Sequence, residues 1–212
     1  MPKIININPS KPHPETIRAA AEVIKRGGIV FFPTQYLYGL GADALNIEAV
    51  KRVFGIKQRS LNKPLSILIK NRDEIDKLVR YIPPAALRIM DSFWPGDITI
   101  VFEAKDLLPT HLTAGTGKIG IRLPGHPVAA ALLNSLKNPI TGTSANITDN
   151  VGCSQVPDLD PQIEKKLDLI LDAGPLKGGA GSTVIDITPP EPRILREGAV
   201  SSKEIFAVLD RR

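Results

Sequence analysis

The sequence predicts one α/β domain: a twisted, mixed β-sheet flanked by helices. Three observations predict it. Short apolar runs alternate with stretches carrying apolar residues at helical spacing, the order of an α/β chain. Several of those runs follow one another with no helix between, which favours a mixed sheet over a purely parallel one. The chain has 212 residues, enough for one full core, and no internal repeat divides them.

The elements follow in order. Residues 4–8 alternate Ile and Asn and read as an edge strand. Residues 14–25 carry Ile17, Ala20, Ala21 and Ile24 at helical spacing, and Gly27-Gly28 stops that helix. Ile29 to Phe32 is wholly apolar and closed by Pro33, which suits a strand buried on both faces. Asn46 is placed to cap the next helix, with Ala49, Val50, Val53 and Phe54 on its inner face. A strand over 65–69, a short helix over 72–79 and a helix from Pro83-Pro84 to about Ser92 come next. Trp94 to Asp97 is a turn, and 98–102 a strand. A strand over 118–123 and a helix over 127–136 precede Thr141 to Asn146. The remainder reads as a helix near 162–167, a strand over 169–171, a glycine-rich loop over 174–181 and a strand over 183–187. After a turn over 188–192, residues 193–196 are extended, and a final helix over 202–209 has Ser201 or Ser202 as its cap.

Composition narrows the class. A net charge of +5 and a pI near 9.3 favour acidic partners, nucleotides or weakly bound RNA among them. The start lacks the apolar segment of a signal peptide, and no apolar run approaches the roughly 20 residues a membrane helix needs. The single cysteine, Cys153, excludes an internal disulfide and suits a reducing compartment. A cytoplasmic protein without a membrane partner is expected. His13, His111 and His126 do not fall at ligand spacing, so no protein-held metal site is expected. No Ser-His-Asp triad declares itself.

Gly39-Leu-Gly41 resembles a dinucleotide fingerprint, but Thr34 to Tyr38 separate it from the strand, and no acid follows for a ribose. A turn needing positive φ is the expected use of these glycines. Gly174 to Thr183 lacks the lysine and the following helix of a phosphate-binding loop; it suits a tight loop bringing backbone and the Ser182 hydroxyl near a small ligand. Thr34, Tyr38, Lys57 and Arg59 sit at the ends of a strand and a helix, where open α/β sheets place ligands. Lys57 and Arg59 suit a polyanion, or merely a solvated helix end. Ser144 and Asn146 suit nucleotide contact, or merely a turn or cap.

Pro33-Thr-x-x-x-Tyr38-Gly-Leu-Gly-x-Asp43-Ala44, then Lys57-x-Arg59-x-x-x-Lys63-Pro-Leu65, resembles the YrdC/TsaC family of threonylcarbamoyl-AMP synthases. Thr141-Gly-Thr-Ser-Ala-Asn146, Ser182-Thr-Val-Ile-Asp186 and Ile194-Leu-Arg-Glu-Gly198 extend the resemblance from about Ile17 to Phe206. It implies a single YrdC-like domain over 1–212, with its core over about 14–206, in the short form lacking a further C-terminal domain. The implied activity is that of a nucleotidyltransferase. L-threonine, bicarbonate or CO2, and ATP with Mg²⁺ give threonylcarbamoyl-AMP and pyrophosphate. A separate tRNA threonylcarbamoyl transferase then makes N6-threonylcarbamoyladenosine (t6A37) in tRNA. Matched position by position, Lys57, Arg59, Ser144, Asn146 and Arg196 would contact ATP, Lys57 and Arg59 being the catalytic cations. Lys63 is a further phosphate candidate. Thr34, Arg122 and Ser182 would hold threonine, with Arg122 on the α-carboxylate.

Two departures stand out. Gln35-Tyr36-Leu37 replaces the family's Asp-Thr-Val, and Asp97 stands where the Trp-Pro-Gly turn usually continues with proline. A YciO-like branch of the fold loses the Lys-x-Arg and Ser-x-Asn pairs, both kept here, so the synthase is favoured over a non-catalytic YciO-like protein. An RNA-binding module is the other alternative; against it, aromatic residues make up only 5% of the chain and form no basic–aromatic stripe.

Overall fold

The computed structural model describes residues 1–210. Along the chain run β1 (Lys3–Asn6), α1 (Pro14–Lys25), β2 (Val30–Pro33), β3 (Tyr38–Gly41), α2 (Ile47–Lys57) and β4 (Ile67–Leu68). Then come α3 (Ile75–Leu78), entered through a 3-10 turn at Arg72–Glu74, α4 (Pro84–Phe93), β5 (Ile98–Glu103), α5 (Thr110–Thr113), β6 (Lys118–Arg122) and α6 (Pro127–Asn134). The last elements are β7 (Ile140–Thr141), β8 (Thr143–Ser144), α7 (Pro161–Glu164), β9 (Leu169–Asp172), β10 (Thr183–Asp186), β11 (Arg193–Arg196) and α8 (Ser202–Leu209).

The mixed α/β architecture is as the sequence predicts, with the strands divided between two sheets. One has the order β1-β9-β2-β3-β8, with β1 at the expected edge; the other runs β11-β10-β5-β6-β4-β7. Both contain parallel and antiparallel pairs. Residues 140–144 serve both sheets: β7 pairs with β4 in one, and β8 with β3 in the other.

The period of two along β2 decides the packing. Val30 and Phe32 face the layer of α1 and α6, against Ile17, Ala21, Ile24, Val128 and Leu132. Ile29 and Phe31 face the larger core, which holds Val50, Val53 and Phe54 of α2. The ring of Phe31 stacks on Tyr38, centroids 4.4 Å apart. Both phenylalanines are fully buried, each worth about 1.5–3 kcal/mol over an exposed position. Asn46 caps α2 through Ala49 N–H at 3.1 Å. Ser201 and Glu204 cap α8 reciprocally.

The expectation that Gly39 and Gly41 serve a positive-φ turn is corrected. Both lie in β3, between β2 and β8, and neither has positive φ. A Cβ on Gly41 would come within 2.9 Å of the Phe32 ring, and one on Gly39 within 3.3 Å of the Thr143 carbonyl. These glycines exist for close approach. The short helix α5 was not expected either.

Candidate active site

The ends of β6, β8, β10 and β11, the exit of α2 and the loop after β2 enclose a cavity of about 770 Å³. Thr34, Lys57, Arg59, Arg122, Ser144, Asn146, Ser182 and Arg196 all line it. The eight side chains that the sequence singles out thus converge from six separate segments of chain.

Lys57 ends α2 and is only 2% exposed. Its ammonium donates to the Ser144 carbonyl (2.6 Å), the Asn146 carbonyl (2.8 Å) and Asn146 Oδ1 (3.2 Å), which accounts for its three protons. Asn146 Oδ1 also accepts from Ser144 Oγ at 2.5 Å, and Asn146 Nδ2 donates to the carbonyls of Ile147 and Asn150. Thr148 returns two bonds to the Lys57 carbonyl. The cation thus ties the helix exit to the 144–150 turn. Burial, and then the charges of Arg59 and Arg196, push Lys57 down to about 7.

Gln58 turns the chain back with φ of 48°, so Arg59 returns over the cavity. Arg59 Nε and Nη2 donate to the carbonyls of Lys63 (2.9 Å) and Pro64 (2.7 Å). Those bonds fix the guanidinium plane and use two of its five protons. Lys63 pairs with Asp149 at 3.0 Å, and Asp149 also acts on Arg59. Arg196 donates to the Ser182 carbonyl at 2.7 Å. Its charge contributes to lowering Lys57, Arg59 and Arg122, after burial in each case.

Ser182 is nearly buried, its hydroxyl 2.9 Å from Thr99 Oγ1. The Thr183 hydroxyl accepts from Gly198 N–H and Val200 N–H, drawing the end of β11 over β10. Gly198 is required there: a Cβ would stand 2.5 Å from the Gly181 carbonyl oxygen. Thr34 donates its hydroxyl to the Leu37 carbonyl at 2.6 Å, leaving its lone pairs toward solvent or ligand. Arg122 ends β6 and is 8% exposed. Its Nε donates to the Gly96 carbonyl (2.6 Å), and its Nη2 pairs with Asp97.

Gln35 and Tyr36, the departure in the loop, do not line the cavity. The Tyr36 carbonyl accepts from Gly178 N–H, and Lys177 Nζ lies 5.8 Å from the Tyr36 ring centroid. Together they anchor the glycine-rich loop.

Lys118 and Asp186 also face the cavity, paired at 2.9 Å, and were not expected. A signal for Lys118 existed: the period of two along β6 puts residues 118, 120 and 122 on one face. Burial raises the Asp186 carboxyl, but hydrogen bonds from Thr188 and Lys118 outweigh it and hold the group below its usual range. The lining carries five basic side chains (Lys57, Arg59, Lys118, Arg122, Arg196) against two acidic ones (Asp149, Asp186). Such a cavity concentrates anions. Among the described residues no three His, Cys, Asp or Glu side chains gather as a metal cage, and no helix is long and apolar enough to cross a membrane.

A family model described as telomere recombination, covering Sua5, YciO and YrdC, matches residues 22–198. The chain belongs to the Sua5/YciO/YrdC family. Within this family it is 36% identical over 193 residues to the threonylcarbamoyl-AMP synthase of Pyrococcus abyssi, covering 91% of this chain and 57% of the relative. It is 34% identical to the synthase of Bacillus subtilis, covering 91% of this chain and 56% of that protein. The chain therefore spans little more than half the length of these relatives. YciO of Escherichia coli, an uncharacterised protein, is 30% identical over 93% of this chain and 96% of its own. The crystal structure of P. abyssi Sua5 complexed with L-threonine superposes with a TM-score of 0.93 at 35% identity, covering 98% of this chain and 61% of that one.

Proposed function

We propose that this Sua5/YciO/YrdC chain is an L-threonylcarbamoyladenylate synthase, a nucleotidyltransferase. The observation that carries the reading is the convergence of the eight residues on one cation-rich cavity. The P. abyssi complex with L-threonine supports the amino-acid substrate.

In this reading Thr34, Arg122 and Ser182 hold threonine, and Lys57, Arg59, Ser144, Asn146 and Arg196 hold ATP. The threonine amine, as the free base, adds to CO2 with release of a proton to solvent, or to bicarbonate with loss of water, to form a carbamate. A carbamate oxygen attacks the α-phosphorus, and pyrophosphate leaves. The protein forms no covalent bond; it positions two anions and offsets their charge. Arg59 and Arg196 retain unused guanidinium donors for phosphate oxygens. Lys57 contributes chiefly by fixing the turn that presents Ser144 and Asn146. Mg²⁺ would come with the nucleotide as its counter-ion and would offset phosphate charge. Asp149 and Asp186 are the carboxylates on the cavity wall, and each is paired with a lysine. The product passes to a separate tRNA threonylcarbamoyl transferase in the cytoplasm. The retained Lys-x-Arg and Ser-x-Asn pairs argue against a non-catalytic YciO-like role.

Threonine is expected to be preferred over valine by roughly tenfold or more, because the polar groups that face the missing hydroxyl are left unpaired. Pyrophosphate release with each amino acid in turn measures this; equal rates would remove the threonine assignment.

A proton should accompany ATP binding. With Lys57 pushed down to about 7, the ammonium that makes the three bonds to the 144–150 turn loses a proton in a substantial fraction of the free protein at a pH of about 8. A triphosphate favours the ammonium, so binding takes up a proton. Calorimetry in buffers of different ionisation enthalpy reads this directly. Proton release, or no exchange, would contradict it.

A further inference from the structure

Arg122 already has a carboxylate partner within its own chain. The pair with Asp97 is buried, the side chains 10% and 9% exposed. Arg122 Nε and Nη2, the edge that usually grips a carboxylate bidentately, are taken by the Gly96 carbonyl and Asp97 Oδ1. The 96–97 turn is fixed at both ends. Gly96 N–H donates to the Leu123 carbonyl at 2.9 Å, and the Asp97 carbonyl accepts from Thr183 N–H at 3.0 Å. Arg122 lines the cavity, whereas Asp97 stands behind it. The other charged or titratable groups acting on the pair are Lys177, Arg196 and Tyr36.

We infer that Asp97 is a specificity-determining and positioning residue: an internal carboxylate that orients Arg122 and competes with the ligand's carboxylate for its charge. The inference rests on the assignment of Arg122 to an amino-acid ligand. Only the outer Nη1–Nη2 edge of the guanidinium is left for that ligand, and a carboxylate already faces its charge from behind. The site consequently binds carboxylate-bearing ligands less tightly than an unpaired arginine would, and distinguishes them less from neutral analogues.

Asp97→Asn separates these roles, because asparagine keeps the Oδ1 acceptor and removes the charge. Calorimetric titration of wild type and variant with L-threonine and with L-threoninamide is the test. The variant is expected to bind threonine about tenfold more tightly, the scale of removing one partly screened like charge, with threoninamide changed less than about twofold. Where the variant is too unstable to titrate, thermal denaturation reads the same coupling: added threonine raises its midpoint more than it raises that of wild type. Threonine affinity that is unchanged or weaker, or an equal change for both ligands, overturns the inference. If wild type binds no threonine, the functional assignment fails on its own; the inference then stands only if Asp97→Asn gains binding, and falls with it otherwise.

Discussion

Arg122→Ala is expected to lower the stability of the free protein by about 3–5 kcal/mol, the cost of leaving one half of a buried ion pair behind. Asp97 would then be a carboxylate enclosed by the turn and the end of β6, with Arg122 Nη2 removed from it. The Gly96 carbonyl would lose its donor as well. Urea denaturation by circular dichroism measures the loss. The double variant Arg122→Ala/Asp97→Ala should recover a large part of it, because no uncompensated charge remains. A loss under about 1 kcal/mol in the single variant would mean that solvent reaches the pair, which the burial of both side chains argues against. The result also bears on function: reduced threonine turnover in Arg122→Ala is interpretable only beside the stability of the same variant.

Arg59→Ala is expected to weaken ATP binding by about 2 kcal/mol or more, roughly thirtyfold, the usual consequence of removing a charge-assisted contact. Its guanidinium is held by the carbonyls of Lys63 and Pro64, so its donors are aimed before any ligand arrives. Arg59→Lys should recover little. A lysine keeps the charge but lacks the planar fork that makes both backbone bonds and still reaches a phosphate. Calorimetric titration of the folded variants decides the matter. Unchanged ATP affinity in Arg59→Ala would remove this residue from the nucleotide site.

Much of the fold was legible because its signals are local. Ile17, Ala20, Ala21 and Ile24 write a helix face whatever surrounds them, and all four are buried. Ser201 with Glu204 marks the start of α8 through bonds made within four residues. The unforeseen parts depend on contacts distant in sequence. Gly39 and Gly41 carry no side chain from which a strand period could be read; what requires them is the Phe32 ring and the β8 backbone. The division into two sheets turns on residues 140–144 pairing to both sides, and no periodicity records that.

The site shows the same division. Its residue types sit at the ends of elements, and the chain's topology brings those ends together. What the side chains do to one another was hidden. The protons of Lys57 go to carbonyls of a turn about 90 residues further along, which motif matching cannot show. Asp97 read only as a departure from a proline; the structure gives it Arg122 as a partner. Lys118 and Asp186 belong to different strands, and only the folded sheet pairs them.

In the proposed reading this cavity joins threonine, bicarbonate and ATP. Pyrophosphate release from MgATP by the purified wild-type protein, measured with both co-substrates and with each withheld, tests it most directly. Release only when threonine and bicarbonate are both present is the result expected. No release with both present, or the same release without threonine, would contradict it.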